Sequence, residues 1–170
     1  MNSYTRLVSF DFDATLIHTP NFEDGKDIWE KATGMKWPGR GWWGNRESLN
    51  TEIFYFPVNE WVYRKYLEVI DSPDNYVFLA TGRLDRLRDS VLKILSTHDI
   101  VFDDVFCNTG GETLNFKKRL FEGIIKDNPK AEEFVMYDDR HDHLSQFVEW
   151  GKLQPIKVTI FDVKNKKQIL

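Results

Sequence analysis

Leu7-Val8-Ser9-Phe10 runs directly into Asp11-Phe12-Asp13-Ala14-Thr15-Leu16. A short apolar run that ends on a carboxylate reads as a central strand whose carboxyl end opens onto a site. Asp11 and Asp13 are two apart, so in an extended strand both would point to one side. The chain must leave the strand here if the two carboxylates are to take different roles.

Similar runs follow at Tyr76-Val77-Phe78-Leu79-Ala80, Asp104-Val105-Phe106-Cys107 and Glu133-Phe134-Val135-Met136-Tyr137. A fifth, Ile156 to Phe161, alternates. Helical spacings lie between them. Trp61, Tyr66, Leu67 and Ile70 form one set, stopped by Asp71-Ser72-Pro73. Leu84, Leu87, Val91, Ile94 and Leu95 form a second. Phe116, Leu120, Ile124 and Ile125 form a third, before Asn128-Pro129, and Leu144, Phe147 and Val148 a fourth, ending at Gly151. Strand, helix, strand, helix predicts an α/β fold with a parallel sheet and right-handed crossovers.

The 170 residues suit about one domain. Apolar residues make up 41% and the net charge is −4, which excludes disorder as the main state. A mildly acidic chain is a poor non-specific binder of polyanions, so any nucleic-acid contact is local. The single cysteine, Cys107, excludes a disulfide framework and reads as a small buried hydrophobe. No secretory leader precedes Asp11, and no apolar run nears the roughly 20 residues that span a bilayer. The expectation is a cytoplasmic protein without membrane contact.

Residues 18 to about 58 break the rhythm. They hold no clean strand or helix period and centre on Gly39-Arg40-Gly41-Trp42-Trp43-Gly44. Such a stretch inside one domain reads as a small cap or lid inserted after the first strand. At about 40 residues it is too small to seal a small-molecule chamber, and an open site suits a phosphate on a polymer end.

The residues after each strand carry the chemistry. Thr81-Gly82-Arg83 follows the second run, Asp138-Asp139-Arg140 the fourth, and Lys117-Lys118 opens a helix between the third and fourth. Oxygen ligands at this density bind Mg²⁺ better than they tolerate one another. A carboxylate can attack phosphorus, and a second can protonate the leaving group and then activate water. Thr81 can donate to a phosphoryl oxygen, and a lysine can neutralise its charge. The spacing from Phe116 favours Lys117 over Lys118.

These four motifs, in this order, resemble those of the haloacid-dehalogenase (HAD) phosphohydrolase superfamily. The likeness implies a Rossmannoid three-layer sandwich with a central parallel sheet, and Mg²⁺ as cofactor. It makes Asp11 nucleophile and metal ligand, and Asp13 general acid/base that lends its backbone carbonyl to the metal. Thr81 and Lys117 would hold the phosphoryl group. Asp138, with or without Asp139, would complete the metal site. Gly41-Trp42-Trp43-Gly44, Thr81-Gly82-Arg83, Phe116-Lys117 and Asp139-Arg140 followed by His143 also resemble the HAD subgroup named Swiss Army Knife. That implies phosphate chemistry on RNA ends.

Gly82, Arg83, Trp42, Trp43, Arg140 and His143 are the candidate substrate contacts. Arg83 either clamps a phosphate or pairs with Asp85 or Asp89. One of Trp42 and Trp43 packs the insert while the other stacks on substrate. His143 orients Asp139 or caps its helix, unless His141 and His143 hold a transition metal. Arg40 and Arg46 either add local positive charge or are simply solvated, and the basic Lys164-Asn165-Lys166-Lys167 tail reads as solvated. Trp29, Trp37, Trp61 and Trp150 read as core. The rivals to a phosphatase on an RNA or DNA end are a small-molecule nucleotidase or sugar phosphatase, a His/Asp metal nuclease, and a non-catalytic HAD-like binding module.

Overall fold

A computed structural model describes residues 4–170. Among these described residues six strands form one sheet in the order β3-β2-β1-β4-β5-β6. The strands are β1 (Arg6–Phe10), β2 (Asn75–Leu84), β3 (Asp104–Asn108), β4 (Glu133–Asp138), β5 (Lys157–Asp162) and β6 (Lys167–Gln168). β1 to β5 are parallel, and β6 pairs antiparallel to the edge of β5.

Helices cover both faces, because each central strand buries side chains on both sides. On one face Val8, Phe10, Val77, Leu79, Val135 and Tyr137 meet α2 (Glu60–Ile70) and α3 (Arg88–Ser96). On the other, Leu7, Phe78, Ala80, Phe134, Met136 and Ile160 meet α4 (Thr113–Asp127) and α5 (His141–Lys152). The result is the parallel α/β fold that the alternating pattern predicts, in the three-layer form that the HAD resemblance implies.

Register aligns the core rings. Phe10 pairs with Tyr137, and Tyr137 with Phe161. Their rings stack at 4.8 and 4.7 Å, nearly parallel. Offset stacks of this kind contribute about 1 kcal/mol each beyond burial.

Two expectations are corrected and a third is extended. The segment 18–58 contains a helix, α1 (Phe22–Thr33), and a short 3-10 turn at Arg46–Leu49. Asn21 caps α1, its side chain accepting from the Asp24 N–H, and Gly34 ends it at φ 68°. Leu84 closes β2 instead of sharing the α3 face, because β2 runs on through a register shift between Thr81 and Leu84. The basic tail is exposed along its length but also structured, with Lys167 in β6.

No helix among the described residues is long and apolar enough to cross a membrane.

Candidate active site

β1 lies between β2 and β4, and the connections from the two sides run in opposite directions. At such a switch point the loops beyond the strand ends part and leave a crevice. The cleft there has a volume of about 450 Å³, and Asp11, Asp13, Trp43, Gly82, Arg83, Lys117, Asp139 and Arg140 contribute to its wall.

β1 ends at Phe10 and the chain turns at once. The Leu16 N–H donates to the Asp11 carbonyl and the Ile17 N–H to that of Phe12. Ala14, at φ 53°, takes the left-handed conformation this turn requires. The turn separates the two aspartates. Asp11 faces Lys117, whose Nζ donates to its Oδ1 at 2.8 Å. Asp13 faces Arg83, which donates from Nε to both of its oxygens and from Nη2 to Oδ1 at 2.7 Å.

β4 delivers the rest. Asp138 Oδ2 accepts from Lys117 Nζ at 2.7 Å, and its Oδ1 accepts from the Arg140 N–H. Thr15 Oγ1 donates to Asp11 Oδ2 at 3.2 Å and lies 3.4 Å from Asp139 Oδ1. Asp11, Asp138 and Asp139 are all buried, with ligand oxygens within 4.8 Å of one another.

Three buried carboxylates and one lysine leave a formal charge of −3 + 1 = −2. A divalent cation would neutralise that sum, and the all-oxygen donor set fits a hard ion such as Mg²⁺. The strain shows in Asp11: burial, with Asp138 and Asp139 beside it, pushes its carboxyl up to about 7 against the pull of Lys117. Burial and Asp138 also raise Asp139. Burial opposes the charge of Lys117, but Asp11 and Asp138 outweigh it and hold the ammonium protonated. Of the two lysines it is Lys117 that reaches the acids, only 2% exposed, while Lys118 is half-buried and makes no ion pair among the described residues.

Arg83 resolves differently from either expectation. It neither points to solvent as a phosphate clamp nor pairs with Asp85, which binds Arg88. It is 1% exposed and holds Asp13, while Nη1 donates to the Trp43 carbonyl and to Ser48 Oγ. The shift in register after Thr81 aims it there. Thr81 itself is fully buried, and its hydroxyl accepts from the Arg83 N–H. Gly82 is required at the cleft wall, because a Cβ would lie 2.8 Å from Thr113 Oγ1.

The tryptophan pair divides as its two readings allowed. Trp42 is buried, donates to the Pro20 carbonyl and packs on Trp37 and Phe54. It is therefore withdrawn from the candidate substrate contacts. Trp43 is 51% exposed on the cleft wall, with the Arg83 guanidinium 4.8 Å from its ring centroid.

His143 also leaves the set. It is buried edge-on against Phe147, away from the cleft wall, and burial lowers its pKa. His141 bonds Asp162 instead. Two positions apart on a helix, the two imidazoles diverge, and neither joins a metal cluster among the described residues. That removes the structural basis for a histidine metal nuclease. Arg140 lines the cleft with its guanidinium on Asp142. Cys107 is buried, and burial raises its thiol pKa. One neighbour went unnoticed in the sequence: Lys164, in the β5–β6 turn, lies 3.9 Å from Asp139 Oδ2.

A parallel α/β sandwich with acids from β1 and β4 around a buried lysine defines a class of site, the acidic crevice of HAD-type domains. The chain belongs to HAD domain family 1 in Swiss Army Knife RNA repair proteins, whose profile matches residues 28–170. No curated protein sequence matches. Among solved structures, a chain of the Pnkp1/Rnl/Hen1 complex superimposes with a TM-score of 0.60 at 17% identity, covering 95% of this chain and 46% of that one. A chain of the Pnkp1/Rnl/Hen1 RNA repair complex gives 0.59 at 19%, covering 93% and 42%. This chain thus spans less than half the length of those two. An archaeal beta-phosphoglucomutase from the hyperthermophilic Pyrococcus sp. strain ST 04 gives 0.52 at 16%, covering 92% and 86%. At these identities the likenesses show the fold.

Proposed function

We propose that the protein hydrolyses phosphomonoesters through an aspartyl-phosphate on Asp11, with a nucleic-acid end, RNA first, as substrate. The observation that carries this reading is the buried Asp11-Asp138-Asp139 cluster around Lys117 at the open end of β1 and β4. The family's RNA-repair membership supports the choice of substrate.

Asp11 attacks phosphorus, and Asp13, ion-paired with Arg83, relays a proton from solvent to the departing oxygen. Water then attacks the acyl phosphate with Asp13 as base, which releases phosphate and restores Asp11. Arg83 fixes both oxygens of Asp13 during this exchange. Lys117 offsets the charge of Asp11 and of the phosphoryl oxygens. Thr81, fully buried and off the cleft wall, holds the Arg83 N–H through its hydroxyl, so its part is to position Arg83 and not to touch the phosphoryl group. Asp11, Asp138 and Asp139, with the Asp13 carbonyl, would hold Mg²⁺, which when bound supplies charge neutralisation at the phosphoryl group. Residues 18–58 act as a cap of one HAD-like domain, since the Trp43 carbonyl and Ser48 are bonded to Arg83 of the core.

Phosphate release with Mg²⁺ tests this, wild type beside Asp11→Asn. The substrates are an aryl phosphate, mononucleotides, and RNA and DNA oligonucleotides phosphorylated at either end. Release that needs Asp11 and favours an oligonucleotide end is the expected result. Undiminished release by Asp11→Asn would overturn the aspartyl-phosphate route. Release from small phosphates only would overturn the substrate. No release by folded wild-type protein with Mg²⁺ bound would leave a binding module.

A further inference from the structure

Trp43 lines the cleft, and its chain neighbours Gly41, Gly44 and Asn45 line a second groove. The Trp43 carbonyl is held by Arg83 on the cleft side, and the next carbonyl, of Gly44, accepts from Arg86 Nη2 at 2.9 Å. The Asn45 N–H closes the turn onto the Trp42 carbonyl. The two successive peptides after Trp43 are thus each held by an arginine, and the Trp43 indole is backed by a buried guanidinium and half exposed. No other ring among the described residues packs on it.

The groove beyond has a volume of about 530 Å³ and is lined by Gly41, Gly44, Asn45, Arg46, Arg86 and Leu87. Its only charged lining residues are two arginines, in a chain of net charge −4. Arg46 is exposed and makes no ion pair among the described residues, and Arg86 spends one donor on Gly44. Glycines at positions 41 and 44 bring the floor's backbone close to whatever lies there. Past Arg46 the surface carries Glu47, Glu52 and Asp89 against one lysine, Lys93.

A basic pocket beside an exposed indole is the arrangement that holds a single strand: a ring for a base, a guanidinium for the backbone. We propose that this groove takes the polynucleotide next to its reacting end. Trp43 stacks on the end base, and Arg46 and Arg86 hold the adjacent backbone phosphate. The acidic surface past Arg46 limits the footprint to about one further phosphate, since a strand running on would meet like charge. The proposal rests on the phosphatase reading for its direction, not for the binding itself.

Fluorescence anisotropy with labelled ten-nucleotide RNA and DNA strands, in chelator so that nothing turns over, tests it across a salt series. Arg46→Ala and Arg86→Ala should each raise Kd about three- to tenfold, and the double variant should flatten the slope of log K against log salt by about 0.7, the share of one phosphate. Trp43→Ala should raise Kd at least about fivefold, and Trp43→Phe should recover most of it. Lys152→Ala, which removes an exposed charge bonded to Glu149, controls for net charge.

Unchanged Kd in both arginine variants, with an unchanged slope in the double variant, would overturn the groove, as would failure of the wild type to bind either strand. So would polyglutamate binding that needs these arginines when strand binding does not, which would mark a protein surface. Aryl phosphate hydrolysis separates the two readings. Phosphate release with an indifferent groove keeps the enzyme and loses the path. Arginine-dependent strand binding without phosphate release keeps the path and loses the enzyme.

Discussion

Asp11 is the residue whose surroundings least suit its charge. Its folded pKa of about 7 lies above its ordinary 3.8, chiefly because burial disfavours the anion. Between those values the folded state holds a proton that the unfolded state has lost, so stability falls as pH rises through that window. In chelator, the wild type should lose on the order of a few kcal/mol between pH 4 and about pH 7. Asp11→Asn should lack that part of the slope, and Mg²⁺ should flatten the wild type but not the variant. Thermal melts across pH, with and without Mg²⁺, check this; equal slopes in chelator would refute it. Arg83 makes the opposite case, a buried charge fully satisfied by Asp13, Ser48 and the Trp43 carbonyl. Arg83→Gln would leave those partners unmet at about 3 kcal/mol. At roughly 2–4 °C per kcal/mol for a chain of this size, that is a fall of about 6–12 °C in Tm, readable by calorimetry.

At the level of the element, α1 shows why part of the fold escapes a reading of the sequence. Its apolar residues Phe22, Ile28, Trp29 and Ala32 do recur on one face, but that face is only partly covered, with Phe22 and Ile28 exposed while Gly25 and Trp29 are buried. A glycine in a helix costs about 1 kcal/mol, which weakens the pattern further. Gly25 is there because a Cβ would lie 2.1 Å from the Trp42 ring. That requirement comes from a residue 17 positions on, and no local window contains it. The caps, Asn21 and Asp24 at the start and Gly34 at the end, are part of the same helix and go unread with it. β1, β2 and β4 could be read because burial on both faces makes an unbroken apolar run. The motif acids and Lys117 could be read because they follow those strands. The Arg83–Asp13 pair spans 70 positions and could not. Gly25→Ala should cost about 1–3 kcal/mol by overpacking and loosen α1. Faster proteolysis within residues 22–33, with the rest of the chain intact, is the expected outcome; unchanged cleavage would mean that Trp42 does not hold the helix.

For the molecule as a whole, the edge of the sheet is the vulnerable part. β3 and β6 are its outer strands, and β6 covers β5, which carries buried Val158 and Ile160. The cover is held by few bonds. Ile160 donates to the Leu170 carbonyl, and Ile169 donates back to that of Ile160. Leu170 also packs at Gly151 of α5, where a Cβ would lie 2.6 Å from its side chain. The connecting turn is held by Asp162, which accepts from the Asn165 N–H and its side-chain amide, and by a Lys166 φ of 51°. This turn also brings Lys164 to Asp139, so the strand that protects the edge also places a cation at the acidic cluster. Truncation after Val163 should therefore do two separable things. It should bare an apolar strand edge and promote self-association, visible as concentration-dependent elution in size-exclusion chromatography. It should also leave the three acids with Lys117 as their only cation within salt-bridge distance, and so tighten Mg²⁺ binding severalfold by calorimetric titration. Lys164→Ala in the full chain separates the effects, since it should reproduce the tighter Mg²⁺ binding and remain monodisperse. A truncated protein that stays monodisperse would show that the edge of β5 needs no cover, and unaltered Mg²⁺ affinity in Lys164→Ala would place Lys164 outside the reach of the cluster.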